Sequence, residues 1–302
     1  MSKTKLIKFA VMTVQDAVKY SADTLTTIYE EREALTISDW IIENITGSPK
    51  TDRIANKEKE LADGQKLQLD KYLQKLLNHE PVQYVLNEAW FFGIKFYVDP
   101  GGLIPRPETE ELVEWIISDC KFPITELSIL DIGSGSGCIP VVLKRKFRKA
   151  EVWSCDISKT ALLVAKKNAE ELKAKINFLH IDFLDMKHRD QFPLFDVIVS
   201  NPPYVPEKDK AQMQPNVANY EPSIALFVPD NDPLIFYKAI AEFGKKKLKK
   251  EGKIYIEVHE NFGEAVSILF QSKGYSTQLK KDMQGKDRMI KAALIFEKSF
   301  VL

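Results

Sequence analysis

The chain has 302 residues, more than one typical core needs, and this length fits two domains. Apolar residues make up 44% and charged residues 28%, a globular balance that excludes a disordered chain. The 43 basic and 43 acidic side chains cancel, so the whole chain lacks the basic excess that favours nucleic-acid binding through counterion release.

In chain order, the Lys-rich start leads into residues 9–14 after an interruption at Lys8, and no small-residue cleavage pattern follows, so no leader is expected. Over residues 13–77 apolar side chains recur at helical spacing, with Leu69, Tyr72, Leu73, Leu76 and Leu77 on one face, which predicts a small helical bundle. Gly47, Pro49 and the charged run 50–63 predict a looser connection before its last helix, which ends at residues 79–81. The aromatic-rich stretch 90–98, centred on Gly93, predicts a hairpin between two domains, and Asp99-Pro100-Gly101-Gly102 turns the chain.

Beyond Arg106, short apolar runs alternate with amphipathic helices, the pattern of a mostly parallel sheet. Seven strands are expected, at 127–132, 151–156, 176–181, 196–200, 253–258, 275–279 and 290–296. The last two leave no room for a crossover helix, so the final strand should run antiparallel to its neighbour. Lys245, Lys246, Lys247, Lys249 and Lys250 are read as the solvated end of a helix, where cations suit the dipole, rather than as a nucleic-acid patch. No run is long and apolar enough to span a membrane. Cys120, Cys138 and Cys155 lack CxxC spacing and His79, His180, His188 and His259 are scattered, so neither a metal site nor a disulfide framework is expected, and a reducing cytoplasm fits best.

The first expected strand ends in Leu130-Asp131-Ile132-Gly133-Ser134-Gly135-Ser136-Gly137, and a helix begins near Cys138. Glycines at a strand-to-helix turn let a ligand approach the backbone, and the helix start offers unpaired N–H groups to an anion such as a carboxylate. Asp156, at the end of the second strand, can accept both hydroxyls of a ribose. Asp182 and Phe183 end the third, where a carboxylate can accept from an adenine amino group and a ring can pack on the base. The same features describe a nicotinamide site, although the spacing here is GxGxG rather than GxGxxG, so S-adenosylmethionine and a dinucleotide both stay open at this point.

The fourth strand runs straight into Asn201-Pro202-Pro203-Tyr204. Two successive prolines hold a rigid bend and donate no backbone hydrogen bond, leaving the Pro202 carbonyl beside the Asn201 amide as a pair of acceptors. That is a clamp for a planar NH2 group, with Tyr204 packing against its plane. Such a clamp aims a nitrogen lone pair at an electrophile.

With these residues in view, the chain resembles the HemK-type protein-(glutamine-N5) methyltransferases that modify peptide chain release factors. The resemblance is carried by Pro81-Val82-Gln83-Tyr84, Leu103-Ile104-Pro105-Arg106-Pro107-Glu108-Thr109-Glu110, the turn at 133–137 and Asn201-Pro202-Pro203-Tyr204, and it runs over most of the chain. It implies an α/β fold in which a helical substrate-recognition domain (1–80) and a hairpin linker (81–105) precede a seven-stranded, Rossmann-like methyltransferase domain (106–302) whose last strand is antiparallel. It further implies S-adenosylmethionine as cofactor and the glutamine of a release factor's Gly-Gly-Gln loop as target. On matching positions, Gly133, Ser134, Gly135, Ser136, Gly137, Asp156, Phe183 and Asn201 would contact the cofactor, while Asn201, Pro202, Pro203 and Tyr204 would hold the substrate amide. Some relatives carry tryptophan in place of Phe183. The 106–110 segment either closes over the methionine end of the cofactor or starts the helix that continues through Leu112 and Trp115. Two other acceptors would suit the same clamp: a glutamine of a ribosomal protein, whose methyltransferases tend to replace the Arg-Pro-Glu-Thr-Glu segment present here, and the exocyclic amine of a nucleic-acid base.

Overall fold

The structure, a computed structural model, describes residues 11–120 and 126–295. The Lys-rich start and Phe296, the expected end of the last strand, lie outside the described residues. The chain divides into two compact units, one ending at Asn87 and the other beginning at Glu88.

The first unit is helical. Helix α1 (Val14–Leu25) starts at Thr13, whose hydroxyl accepts from the Asp16 N–H while the Asp16 carboxylate accepts from the Thr13 N–H, a reciprocal cap. Helix α2 (Glu31–Thr46) follows. The charged stretch expected to be a loose connection contains a short helix, α3 (Lys50–Ala55), because Arg53 turns inward and donates to the Ser48 carbonyl at 3.1 Å and to Asp39 at 3.3 Å. Helices α4 (Asp63–Leu77) and α5 (Val82–Leu86) complete the unit. Leu25, Ile41, Ile42, Leu69, Leu73 and Leu76 form its core, each burial contributing about 1.5–3 kcal/mol.

The second unit opens with the expected hairpin, β1 (Ala89–Phe91) and β2 (Ile94–Phe96), whose Phe91 and Phe96 are wholly buried in this unit's own core. Then come α6 (Pro107–Asp119), β3 (Ser128–Ile132), α7 (Cys138–Lys146), β4 (Glu151–Asp156), α8 (Lys159–Glu171), β5 (Asn177–His180) and β6 (Phe195–Ser200). The connection beyond β6 carries β7 (Val205–Pro206), α9 (Pro215–Ala218), α10 (Ser223–Leu226) and β8 (Phe227–Val228). The chain closes with α11 (Ile235–Lys247), β9 (Leu248–Glu257), α12 (Gly263–Ser272), β10 (Tyr275–Lys281) and β11 (Asp287–Leu294).

Seven strands form one sheet in the order β10-β11-β9-β6-β3-β4-β5, parallel except for β11, which runs antiparallel to both neighbours. Side chains alternate between faces: Ile129, Val197 and Tyr255 pack with α6 and α7, and Leu130, Ile198 and Ile254 pack with α11 and α12. Helices on both faces explain why β3 is buried along its whole length and reads as a continuous run. The lysine cluster differs from expectation. Lys249 and Lys250 belong to β9 because buried Leu248 pairs with Phe195 and draws the chain into the sheet before the expected start, while the Lys249 ammonium meets Asp196 at 2.8 Å.

Candidate active site

The carboxyl ends of β3, β4 and β6 meet at one cavity of about 360 Å³, a size suited to a small ligand, and every residue lining it belongs to the second unit. Its floor is the glycine turn. Gly133, Gly135 and Gly137 have φ of 90°, 52° and 80°, left-handed values that side-chain-bearing residues rarely adopt. This conformation brings the N–H groups of Gly133 and Ser134 together on the Cys155 carbonyl, at 2.9 and 3.0 Å.

Asp156 closes the turn from the next strand. One carboxylate oxygen accepts from the Gly135 N–H at 3.0 Å and the other from the Ser158 N–H at 2.8 Å. Burial raises its pKa and these backbone donors pull the other way. Each oxygen retains capacity to accept again, so the carboxylate can hold its own loop and a pair of ligand hydroxyls together. Ser134 is turned inward: its hydroxyl lies 2.6 Å from that of Ser154, which donates to wholly buried Asp131 at 2.6 Å. Ser136 lines the cavity with a hydroxyl that is buried and has no hydrogen-bond partner in the structure.

The cavity's cover is the segment from Gly101 to Arg106. Gly102 packs so closely on the turn that a Cβ there would lie 3.3 Å from the backbone of Gly135. Glu221, buried on the connection after β6, accepts from the Ile104 N–H at 3.2 Å and pairs with the Arg106 guanidinium. The helix-start reading of the 106–110 segment holds, since Pro107 starts α6; Arg106 lines the cavity, and Glu110 accepts from the Phe92 N–H at 2.9 Å. Phe183 also lines the cavity, yet it is only 6% exposed, edge-on to Phe243 with ring centres 5.2 Å apart and 4.8 Å from the Arg189 guanidinium. Asp182 accepts from the Leu184 N–H at 2.8 Å, which fixes the turn carrying that ring.

On the opposite wall, Asn201, Pro202 and Pro203 face the same cavity. The Ser200 hydroxyl donates to the Ile132 carbonyl at 2.7 Å, tying the end of β6 to the start of the glycine turn. Asn201 donates through Nδ2 to the Thr109 hydroxyl at 3.0 Å, and Thr109 donates to Oε2 of Glu257 at 2.6 Å. Tyr204 is not among the lining residues; its hydroxyl donates to Oε1 of the same glutamate at 3.1 Å. Burial pushes the Tyr204 phenol far above its ordinary pKa, so the hydroxyl stays a neutral donor.

Glu257 is 1% exposed, and burial raises its pKa to about 7 against the pull of Thr109, Tyr204 and Arg288. Sequence reading missed it: no motif surrounds it, and the only signal was a lone acid at the carboxyl end of a central strand, the position Asp156 also holds. Thr109 was singled out only as one member of the segment before α6. The structure thus gathers Gly133, Ser134, Gly135, Ser136, Asp156, Phe183, Asn201, Pro202 and Pro203 around one cavity, with Tyr204 behind the clamp. Gly137 is not itself a lining residue; it caps α7 against α8, where a Cβ would sit 3.0 Å from Ala165. Among the described residues no group of histidines, cysteines and acids could hold a metal ion.

Comparison with known proteins agrees with this geometry. The family described as "Methyltransferase small domain" matches residues 112–219, and "PrmC N-terminal domain" matches residues 16–86. The release factor glutamine methyltransferase of Flavobacterium psychrophilum is 42% identical over 270 residues, covering 88% of this chain and 94% of that protein. Its counterpart in Bacteroides thetaiotaomicron is 39% identical over 274 residues, 90% of this chain and 97% of that one. Among solved structures, a 16S rRNA methyltransferase of T. thermophilus in complex with AdoMet and guanosine superimposes with a TM-score of 0.50 at 19% identity, covering 69% of this chain and 50% of that chain, a likeness of fold.

Proposed function

Since this chain belongs to the release factor glutamine methyltransferases, we infer that it transfers a methyl group from S-adenosylmethionine to the side-chain amide nitrogen of the glutamine in a release factor's Gly-Gly-Gln loop. One observation carries this reading to the residues: the glycine turn with Asp156 and the Asn201-Pro202-Pro203 clamp open onto a single cavity.

The residues fit the cofactor. The left-handed turn exposes backbone where a carboxylate or nucleoside can approach, and the buried Asp156 carboxylate suits a ribose diol. When bound, S-adenosylmethionine supplies an electrophilic methyl group on a sulfonium. Gly133, Ser134, Gly135 and Ser136 would hold it through their backbone, with Gly137 fixing the end of the turn rather than touching it, Asp156 through the ribose, and Phe183 with the neighbouring apolar wall at the base. Asn201 would touch both ligands.

For the acceptor, the Asn201 amide oxygen and the Pro202 carbonyl would each take one proton of the substrate NH2, Pro203 would keep the bend rigid, and Tyr204 would support the plane. An amide nitrogen is a weak nucleophile because its lone pair is delocalised, so orientation must carry much of the catalysis. Alignment of this kind can remove roughly 7 to 11 kcal/mol of barrier. The helical first unit is assigned to recognition of the release factor, and the second, which includes the hairpin and the whole cavity lining, to catalysis. No helix among the described residues is long and apolar enough to cross a membrane; a release-factor substrate implies the cytoplasm.

A ribosomal-protein glutamine or an exocyclic base amine would fit the same clamp, but the Arg106 to Glu110 segment and the balanced charge favour the release factor. Incubation with labelled cofactor and separate release factor, ribosomal protein and nucleic acid decides among them. The label should enter only the release factor, at the glutamine found by mass spectrometry. A release factor with glutamate at that position should take up none, since no NH2 remains to be held; continued labelling of it would show that the target lies elsewhere.

A further inference from the structure

Glu257 lies behind the clamp and touches both of its polar side chains, one through an intermediary. We propose that Glu257 is a positioning residue which, through the Thr109 hydroxyl, determines which end of the Asn201 amide is turned toward the acceptor glutamine. The inference rests on Asn201 holding the substrate amide, as proposed above.

Hydrogen-bond direction fixes the orientation. A carboxylate only accepts, so the single proton of the Thr109 hydroxyl is committed to Oε2 of Glu257, 2.6 Å away. Thr109 can then only accept from Asn201, which requires the NH2 end of that amide at the 3.0 Å contact. The oxygen end is left as the one that can receive a proton from a substrate NH2. Tyr204 donates to Oε1 and Thr109 to Oε2, and the Thr109 proton has an alternative acceptor in the Asn201 amide, so Oε2 is where a proton can be taken up. Protonated there, Glu257 donates to Thr109, the Thr109 proton swings to Asn201, and the amide turns over. An NH2 group would then face the substrate NH2, donor against donor.

Several charged or titratable groups surround this carboxylate. Thr109 and Glu108 face it from α6, and Arg288 faces it from β11, while Arg106 at the helix's cap acts on Tyr204. Tyr204 reaches it from the turn after β6, and the α11 residue Tyr237 donates to its backbone carbonyl at 3.3 Å. Arg288 also serves Asp282 at 3.2 Å and Glu260 at 3.8 Å, so its charge is shared. Burial holds the Glu257 pKa at about 7, and the reversal falls in the neutral range. The sign follows: above that pH the carboxylate is ionised and the clamp is set for the substrate; below it, turnover falls.

The test is the single-turnover rate of release-factor methylation by the full chain, with both substrates saturating, measured from pH about 5.5 to about 8.5. Cofactor titration calorimetry on each variant reports folding. The unsubstituted protein should lose about tenfold in rate per pH unit on the acid side. E257Q and T109V, both close in shape to the originals, should be slowed roughly ten- to a hundredfold and should lose that acid limb, with cofactor affinity held within about threefold. T109S restores the hydroxyl and should regain most of the rate and the limb. An acid limb that persists in E257Q, or T109V turning over at the original rate, overturns the proposal. N201A separates the two levels of argument. If N201A is slow while E257Q and T109V are not, the relay is wrong and the clamp stands; if N201A is also fast, the clamp falls and the relay with it.

Discussion

Asp131 and Asp156 support the same glycine turn in opposite circumstances. Asp156 keeps two backbone donors, whereas Asp131 has a single donor, Ser154, and one oxygen with no partner in the structure. Burial, helped by the charge of Asp156, lifts the Asp131 pKa from 3.8 to about 8. The native state therefore holds this proton more tightly than the unfolded chain does. The resulting stability is complete at acid pH and is lost as pH climbs towards about 8. Asp131→Asn, neutral and of similar shape, should flatten that loss, and its melting temperature should fall less than the parent's between pH about 6 and about 9. Equal slopes for the two proteins would mean that Asp131 ionises without cost. Asp156→Ala frees Gly135 and would remove the charged hydrogen bonds proposed to a ribose, and should weaken cofactor binding by about 1.5 to 3 kcal/mol. Unchanged affinity by calorimetry would remove Asp156 from the site. Asp156 was legible beforehand because it ends a strand beside a glycine turn. Glu257 ends a strand too, but its partners arrive from α6 and from the turn after β6, 148 and 53 residues away, a convergence that no local pattern records.

At the level of elements, periodicity located all seven sheet strands, since each alternates or runs apolar for a packing reason that leaves a local trace. Helix α3 left none. It exists because one arginine finds Asp39 and a carbonyl, while its neighbours in the helix are exposed. Ser134 shows the same limit, since its inward turn depends on Ser154 across the β3–β4 pairing. The cover segment likewise owes its place to a distant partner, Glu221, through the Ile104 N–H and Arg106. Glu221→Ala should release that segment. Loss of hydrogen bonds to a charged group, about 1.5–3 kcal/mol, should speed cofactor dissociation roughly ten- to a hundredfold in stopped-flow displacement. A dissociation rate equal to the parent's would show that the segment holds its own shape. Glu221→Gln, which can still accept from Ile104, should lie between the two.

For the whole molecule, separate cores matter most. The first unit packs on Leu25, Ile41 and Leu73, the second on two clusters either side of its sheet, and the cavity is lined by the second alone. A chain beginning at Glu88 should therefore bind the cofactor with affinity close to that of the full chain, measured by calorimetry, and methylate the release factor far more slowly. Methylation at the full rate would take substrate recognition away from the helical unit. The sheet has a further consequence, one of timing. Strand β11, translated after the other described strands, does not join an outer edge; it slots between β9 and β10, pairing Met289 with Glu257 and accepting from the Val258 N–H at 2.8 Å. A nascent chain that has reached only β10 already carries the turn, the clamp and Asn201. It also exposes the long unpaired edge of β9, the kind of edge that invites wrong partners. Glu257 then lacks the strand that flanks it and the nearby Arg288. Until β11 is made, the carboxylate that would set the clamp lacks its flanking strand, so catalysis would wait for that strand although every residue lining the cavity had already been translated.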